Sequence, residues 1–240
     1  MSLLEVREVT VRFGGHLALR NVSLDAEARR ITGVIGPNGA GKTTLFDVIS
    51  GLVKPQRGEV YIGGRPIGGL APYRRARLGL ARTFQRLEVF SLLTVRENVE
   101  LAATGWRSRR PGVDTEEILS LVGLDDVAER RGDELSTGQA RLLELARALA
   151  TNPRLLLLDE PASGQEQGET ERFRRVVTEI AGRGVGVVLV EHDVGLVMRT
   201  CHWVHVLDFG SVLAAGTPAE IQANRAVRDA YLGPSVQAMG

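Results

Sequence analysis

A short apolar run, Ile31–Ile35, breaks at Gly36 and passes through Pro37, Asn38, Gly39, Ala40 and Gly41. It resumes at Lys42, Thr43 and Thr44 as a segment with helical apolar periodicity over residues 43–50. This pattern dictates a buried strand, a glycine-rich turn and a helix, in that order. Comparable apolar runs recur at Leu155–Asp159 and 185–190, with helical periodicity at 169–181 and Val194–Thr200. Strands alternating with helices predict an α/β fold on a parallel sheet. Upstream, residues 4–13 and 17–24 alternate apolar and polar side chains, which predicts two half-buried strands. Residues 71–79 predict an arginine-studded helix and 80–84 a short strand, while 203–207 and 212–214 resemble two further strands. Thr217, Pro218 and Glu220 form a capping box with proline at the first helical position, so a last helix starts there. Between these halves the pattern is mainly helical (95–103, 114–122 and 138–150). Residues 91–152 are therefore expected as a helical subdomain inserted into a core made of 1–90 and 153–240.

Composition narrows the class. With 240 residues, 43% hydrophobic and 25% charged, the chain can bury a core and is not of disordered type. A lone cysteine, Cys201, excludes a disulfide scaffold and a cysteine zinc site. The longest run free of polar residues, 184–190, is far shorter than the roughly 18 residues of a membrane helix. The start has no basic-then-apolar leader pattern. A soluble, cytoplasmic chain is the expectation. Basic and acidic side chains number 30 and 29, so the net charge of +1 does not favour nucleic acid as a partner. Arg74, Arg75, Arg77, Arg82 and Arg86 are read instead as a solvated or membrane-facing surface. Only Lys42 and Lys54 are lysine, so a lysine behind the glycines is a specific choice.

Gly36 through Thr43 match G-x-x-x-x-G-K-[ST], with the required strand before and helix after. Glycines let backbone N–H groups curl around phosphate oxygens, and the helix N-terminus adds partial positive charge. Lys42 is the candidate for the β- and γ-phosphates and Thr43 for Mg²⁺. Asp159 and Glu160 end an apolar strand, where ligands gather in open α/β sheets. Asp159 would hold Mg²⁺ through water, and Glu160 would orient the attacking water. These two motifs define a P-loop nucleotidase. The guanine-specific N-K-x-D is absent, since Gly41 precedes Lys42 and Val53 precedes Lys54. A small-molecule kinase remains open on this much.

Leu135, Ser136, Thr137, Gly138 and Gln139 stand at the start of a helix just upstream of the acidic strand. This run resembles the signature motif of ATP-binding cassette (ABC) ATPases, usually Leu-Ser-Gly-Gly-Gln, with Thr137 at the third position. The resemblance spans residues 13–232 and implies a P-loop NTPase (RecA-like) core, an N-terminal antiparallel β-subdomain and the inserted helical signature subdomain. It also implies further roles. Phe13 resembles the aromatic that stacks on adenine. Gln85 matches the Q-loop glutamine that touches Mg²⁺ and senses the membrane partner. His192 matches the switch histidine near the γ-phosphate. His16, His202 and His205 are read as structural.

The stretches 12–19, 80–85 and 216–233 look like the ATP-binding subunits of branched-chain amino acid importers, with urea, amide and other polar-solute importers close behind. Lipid and lipopolysaccharide exporter ATPases, and soluble ABC ATPases, overlap in pattern. The family implies a dimer of cassettes, peripheral on the cytoplasmic face of the cell membrane, on two permease subunits fed by a substrate-binding protein. In such a dimer Ser136, Gly138 and Gln139 of one subunit close over ATP held by the other. Residues 86–97, with Leu87, Val89, Phe90 and Leu92, are the candidate groove for the permease, or else core of the helical subdomain. Two departures stand out: Gln165, Glu166 and Gln167 where the family has Leu-Asn/Asp-Pro, and Arg29-Arg30 where Gly-Glu is usual.

Overall fold

The computed structural model describes residues 2–84, 87–104 and 114–232. The first half contains β1 (Ser2–Phe13), β2 (His16–Glu27), β3 (Ile31–Ile35), α1 (Lys42–Ser50), β4 (Arg57–Ile62), β5 (Arg65–Pro66), α2 (Pro72–Arg77) and β6 (Leu80–Arg82). Three helices follow: α3 (Val95–Thr104), α4 (Thr115–Val122) and α5 (Thr137–Ala150). The last third contains β7 (Leu155–Asp159), α6 (Gln167–Gly182), β8 (Gly186–Val190), α7 (Val194–Thr200), β9 (Trp203–Asp208), β10 (Ser211–Gly216) and α8 (Pro218–Ala223).

These strands form two sheets. One is antiparallel, in the order β2-β1-β4-β5; the other runs β10-β9-β3-β8-β7-β6 and is parallel except for β10 at its edge. The α/β expectation holds, as do the antiparallel N-terminal sheet and the helical insertion. Strands β3, β7 and β8 are buried along their whole length. Alternate residues face opposite layers. Leu156, Leu158, Val187 and Leu189 face a core shared with α5, α6 and α7, while Leu155, Leu157, Val188 and Val190 face a core around α1 and the antiparallel sheet. Burial on both faces is why these strands read as continuous apolar runs. The helical insertion joins the first core through Val95, Val99, Leu119 and Leu143.

The hairpin β4–β5 is absent from the sequence expectations. Glu59 and Tyr61 alternate with buried Val60 and Ile62, and Gly63-Gly64, both at positive φ, make the two-residue turn that pairs Ile62 with Arg65. The other elements lie where expected, the helix at 71–79 shortening to α2 and the strand at 80–84 to β6.

Because β3, β8 and β7 are neighbours and run parallel, their C-terminal ends lie side by side. Gly36, Glu191-His192 and Asp159-Glu160 thus emerge at one edge, the usual ligand edge of an open α/β sheet.

Candidate active site

The phosphate loop is pinned by close packing. Gly36 has φ 153°, and a Cβ there would sit 2.1 Å from the Leu207 carbonyl oxygen. Gly41, at φ 102°, lies against Ala18 O and Leu19, each 2.7 Å from where a Cβ would stand. Helix α1 starts at Lys42 with Gly41 as its N-cap, so no side chain satisfies its first N–H groups and no acidic residue occupies its first turn. Lys42 Nζ donates to Gly36 O (2.7 Å) and Pro37 O (3.1 Å), folding the ammonium back over the loop. Burial lowers its pKa below that of an ordinary lysine, and the charges of Glu160 and Asp159 partly restore it. A cavity of about 620 Å³ opens here, lined by Phe13, Asn38, Gly39, Ala40, Gly41, Lys42, Thr43, Thr44, Glu160 and His192. His16, expected to be structural, is exposed and lines the same cavity, because it opens β2 directly across the turn from Phe13.

Glu160 leaves β7 with φ 49°, a left-handed turn that aims its carboxylate into the cavity. There His192 Nε2 lies 2.5 Å from Glu160 Oε1. Glu191, buried, accepts hydrogen bonds from Ala162 N (2.7 Å) and His192 N (3.2 Å), so one carboxylate ties together the two loops that carry Glu160 and His192. Burial raises the pKa of Glu191, and those two N–H groups work against the shift. Asp159 is also buried and pushed up by burial, with Arg82 opposing through a hydrogen bond and charge. Neither Glu191 nor Arg82 was singled out for the site from sequence. Glu191 stands beside the histidine motif, and Arg82 was grouped with surface arginines.

That grouping fails for two members. Arg75 is 2% exposed and donates to the carbonyls of Val48, Ile49, Leu70 and Gly68, closing the C-terminal end of α1. Arg82 is tied to Asp47 and Asp159. A buried guanidinium needs several acceptors, and here loop carbonyls and carboxylates supply them.

The signature residues stand apart from this cavity. Ser136 is the exposed N-cap of α5; its Oγ accepts from Gln139 N (3.2 Å) and its N–H donates to Gln139 Oε1 (3.0 Å). Gly138 is buried, and a Cβ there would meet Glu169 Oε1 at 2.3 Å. None of Ser136, Gly138 and Gln139 lines the Lys42 cavity. Gln85 lies outside the described residues. In the departing loop, Gln165 Nε2 donates to Pro161 O (3.3 Å) and Glu166 is the N-cap of α6.

A second cavity, about 450 Å³ and mainly apolar, lies between the core and the helical insertion, lined among others by Leu52, Tyr73, Arg82, Phe84, Ala102 and Arg147. It is not built from the expected quartet. Val89 packs on the helical core, whereas Leu87, Phe90 and Leu92 are exposed; of this segment Glu88 lines the cavity. No helix among the described residues is long and apolar enough to cross a membrane.

Hard oxygen donors on Thr43 and Asp159 suit Mg²⁺. The glycine cradle, a capless helix N-terminus and a lysine already bonded to carbonyl oxygens suit a polyphosphate. Comparison with known proteins agrees. Residues 19–163 match the ABC transporter family, and 211–233 match a segment described as branched-chain amino acid ATP-binding cassette transporter. The chain is 38% identical over 96% of its length to the high-affinity branched-chain amino acid transport ATP-binding protein BraF of Pseudomonas aeruginosa, covering 98% of that protein. It is 35% identical over 98% of its length to the lipopolysaccharide export system ATP-binding protein LptB of Acidithiobacillus ferridurans, covering 99% of it. An ABC transporter cassette solved in its ADP conformation superposes with TM-score 0.87 at 28% identity, covering 97% of this chain and 99% of that one. A dimeric cassette in a post-hydrolysis state with ADP and Pi gives TM-score 0.77 at 28% identity over 90% and 98%. The strand-edge cradle, the acidic strand end and the capped signature helix are thus those of an ATPase cassette, and the chain belongs to the ABC transporter family of ATP-binding subunits.

Proposed function

We propose that this chain is the ATP-hydrolysing subunit of an importer for branched-chain amino acids. On this reading it works as a cassette dimer on the cytoplasmic face of two membrane permease subunits that receive solute from a substrate-binding protein. The whole chain is read as one cassette, with 1–90 and 153–240 as the nucleotide-binding core and 91–152 as the helical subdomain. The observation that carries the chemical part is Glu160 Oε1 at 2.5 Å from His192 Nε2, in the cavity that also holds Lys42. The solute class rests on residues 211–233 and on the likeness to BraF.

In this reading Phe13 stacks on adenine, and the N–H groups of the loop from Gly36 to Thr44 face the phosphates. Lys42 exchanges its bonds to Gly36 O and Pro37 O for phosphate oxygens. Thr43, Asp159 and Gln85 would hold Mg²⁺, which would supply charge neutralisation on the phosphates. Glu160 accepts a hydrogen bond from the attacking water and aims it in line. His192 holds Glu160 in place from one side and reaches the γ-phosphate from the other. A partner cassette adds its own Ser136 hydroxyl and the N-terminus of α5, donors that meet the developing charge only when the two halves close. The apolar cavity between core and helical insertion is the seat for the permease.

The 35% identity to LptB favours one second reading, an exporter ATPase. Reconstitution separates the two. With its permeases and binding protein, ATP hydrolysis rises on adding leucine, isoleucine or valine if the importer reading holds. No response to any of the three, with stimulation by a lipopolysaccharide-loaded permease, selects the exporter.

A further inference from the structure

Arg82 is the last residue of β6, which pairs in parallel with β7 so that Arg82 lies opposite Leu157. Its side chain is 7% exposed and lies between the rings of Phe46 (5.6 Å) and Phe84 (5.0 Å). Nη2 donates to Asp159 Oδ2 at 3.0 Å, while Nη1 donates to Asp47 Oδ1 at 2.6 Å and to Ser50 Oγ at 3.1 Å. The guanidinium therefore joins two elements that share no other ion pair among the described residues: strand β7, which ends in Asp159, and helix α1, which carries Asp47 and Ser50. Asp47 lies one turn after Thr43 on α1, on the same helix face.

From this geometry we infer that Arg82, anchored by Asp47, is a positioning residue that fixes the carboxylate of Asp159 relative to the Thr43 hydroxyl, and so sets the metal-binding geometry without touching the metal. A charge alone does not suffice for this. Two carboxylates on different elements are held at fixed angles by a planar fork, whereas an ammonium is a compact, rotatable charge whose donors impose no such angle. Asp159 keeps its second oxygen free of Arg82, and that oxygen is the one left for a metal-bound water. Groups that orient metal ligands from outside typically control metal affinity by about 10–100-fold. The inference rests on the reading of Thr43 and Asp159 as Mg²⁺ ligands, and the test below separates the two.

The experiment titrates Mn²⁺, as a paramagnetic substitute for Mg²⁺, against the full-length protein saturated with a non-hydrolysable ATP analogue, reading bound metal by electron paramagnetic resonance. Metal-free affinity for a fluorescent ATP analogue is measured alongside. R82M and R82K are both expected to weaken Mn²⁺ binding about tenfold or more, and D47N by an intermediate factor, with metal-free nucleotide affinity within about twofold of wild type. A double-mutant cycle of R82K with D47N is expected to be non-additive, because the two act as one unit. Should R82M fail to fold, R82K and D47N decide, since each keeps a polar side chain in place. Folded R82K and D47N that bind Mn²⁺ as wild type does overturn the inference. A wild-type signal that ignores Thr43→Ala and Asp159→Asn overturns instead the ligand reading beneath it.

Discussion

His192 Nε2 stands 2.5 Å from Glu160 Oε1, and Glu191, the residue before that histidine, accepts the backbone N–H of Ala162, two residues after Glu160. The two loops are therefore cross-braced, side chain to side chain on one line and carboxylate to backbone on the other. Reading the pair as general base and its orienting partner gives the first two predictions.

Glu160→Gln keeps the shape of the side chain and its reach into the cavity but cannot take the water's proton. ATP binding is expected to persist, while steady-state hydrolysis falls by about 10²–10⁴-fold. Turnover equal to wild type in a coupled phosphate-release assay removes Glu160 from this role.

His192→Ala leaves the Glu160 carboxylate without its 2.5 Å partner and removes one donor from the γ-phosphate side. A loss of about 10²-fold in turnover is expected, with nucleotide affinity nearly unchanged. A shift carried by affinity alone contradicts the assignment.

Ser136→Arg places a long cation at the exposed N-cap of α5, outside the Lys42 cavity. Normal binding of one nucleotide per chain is expected, with no ATP-dependent dimer of the hydrolysis-deficient protein. Light scattering that still reports the dimer argues against the sandwich arrangement.

Arg75→Met keeps volume but strips donors from four carbonyl acceptors at and near the C-terminal end of α1, two of them buried. A loss of about 2–4 kcal/mol in urea unfolding is expected, without change in the nucleotide dissociation constant of the folded fraction. An effect below that range shows that these buried hydrogen bonds contribute little net stability.

Cys201 is buried against Gly33, and burial pushes its thiol from 9.0 up to about 12. The folded state thus holds its proton where the unfolded state has lost it. The contribution of Cys201 to stability is constant below pH 9 and falls as pH rises through the window from 9.0 to about 12, by at most about 1.4 kcal/mol per unit. At pH 8 an aromatic disulfide reagent is expected to label Cys201 only as fast as the protein opens, and burst-phase labelling sinks this.

The sequence announced those parts of the fold whose physics is local. Leu155–Asp159 is apolar because both faces of β7 are covered, and Ser136 with Gln139 reads as a helix start because the capping box is closed within four residues. The cradle around Lys42 belongs to the same class. What escaped depends on distant partners. Val60 and Ile62 are too few to outweigh the glycines around them until β1 supplies a neighbour. Arg75 and Arg82 look like surface charges because most of their acceptors lie 26 to 77 positions away. His16 looks ordinary until β2 folds back on β1 and sets it beside Phe13. The quartet around Phe90 looks like a groove wall, yet Arg147 covers the Phe90 ring at 4.6 Å, and of the segment 86–97 only Glu88 is among the described residues that line the cavity.

The self-contained cap at Ser136 has one more consequence. Its hydroxyl oxygen is occupied by Gln139 N, and Gln139 in turn holds the Ser136 N–H, so the box closes on two of the donors at this tip. The Ser136 hydroxyl proton and the N–H groups of Thr137 and Gly138 remain for an acceptor. Such a tip has little reason to adhere to another protein surface and some reason to grasp an anion. On the dimer reading proposed above, triphosphate is the anion that such a tip would grasp, and its supply would set how often two chains meet there.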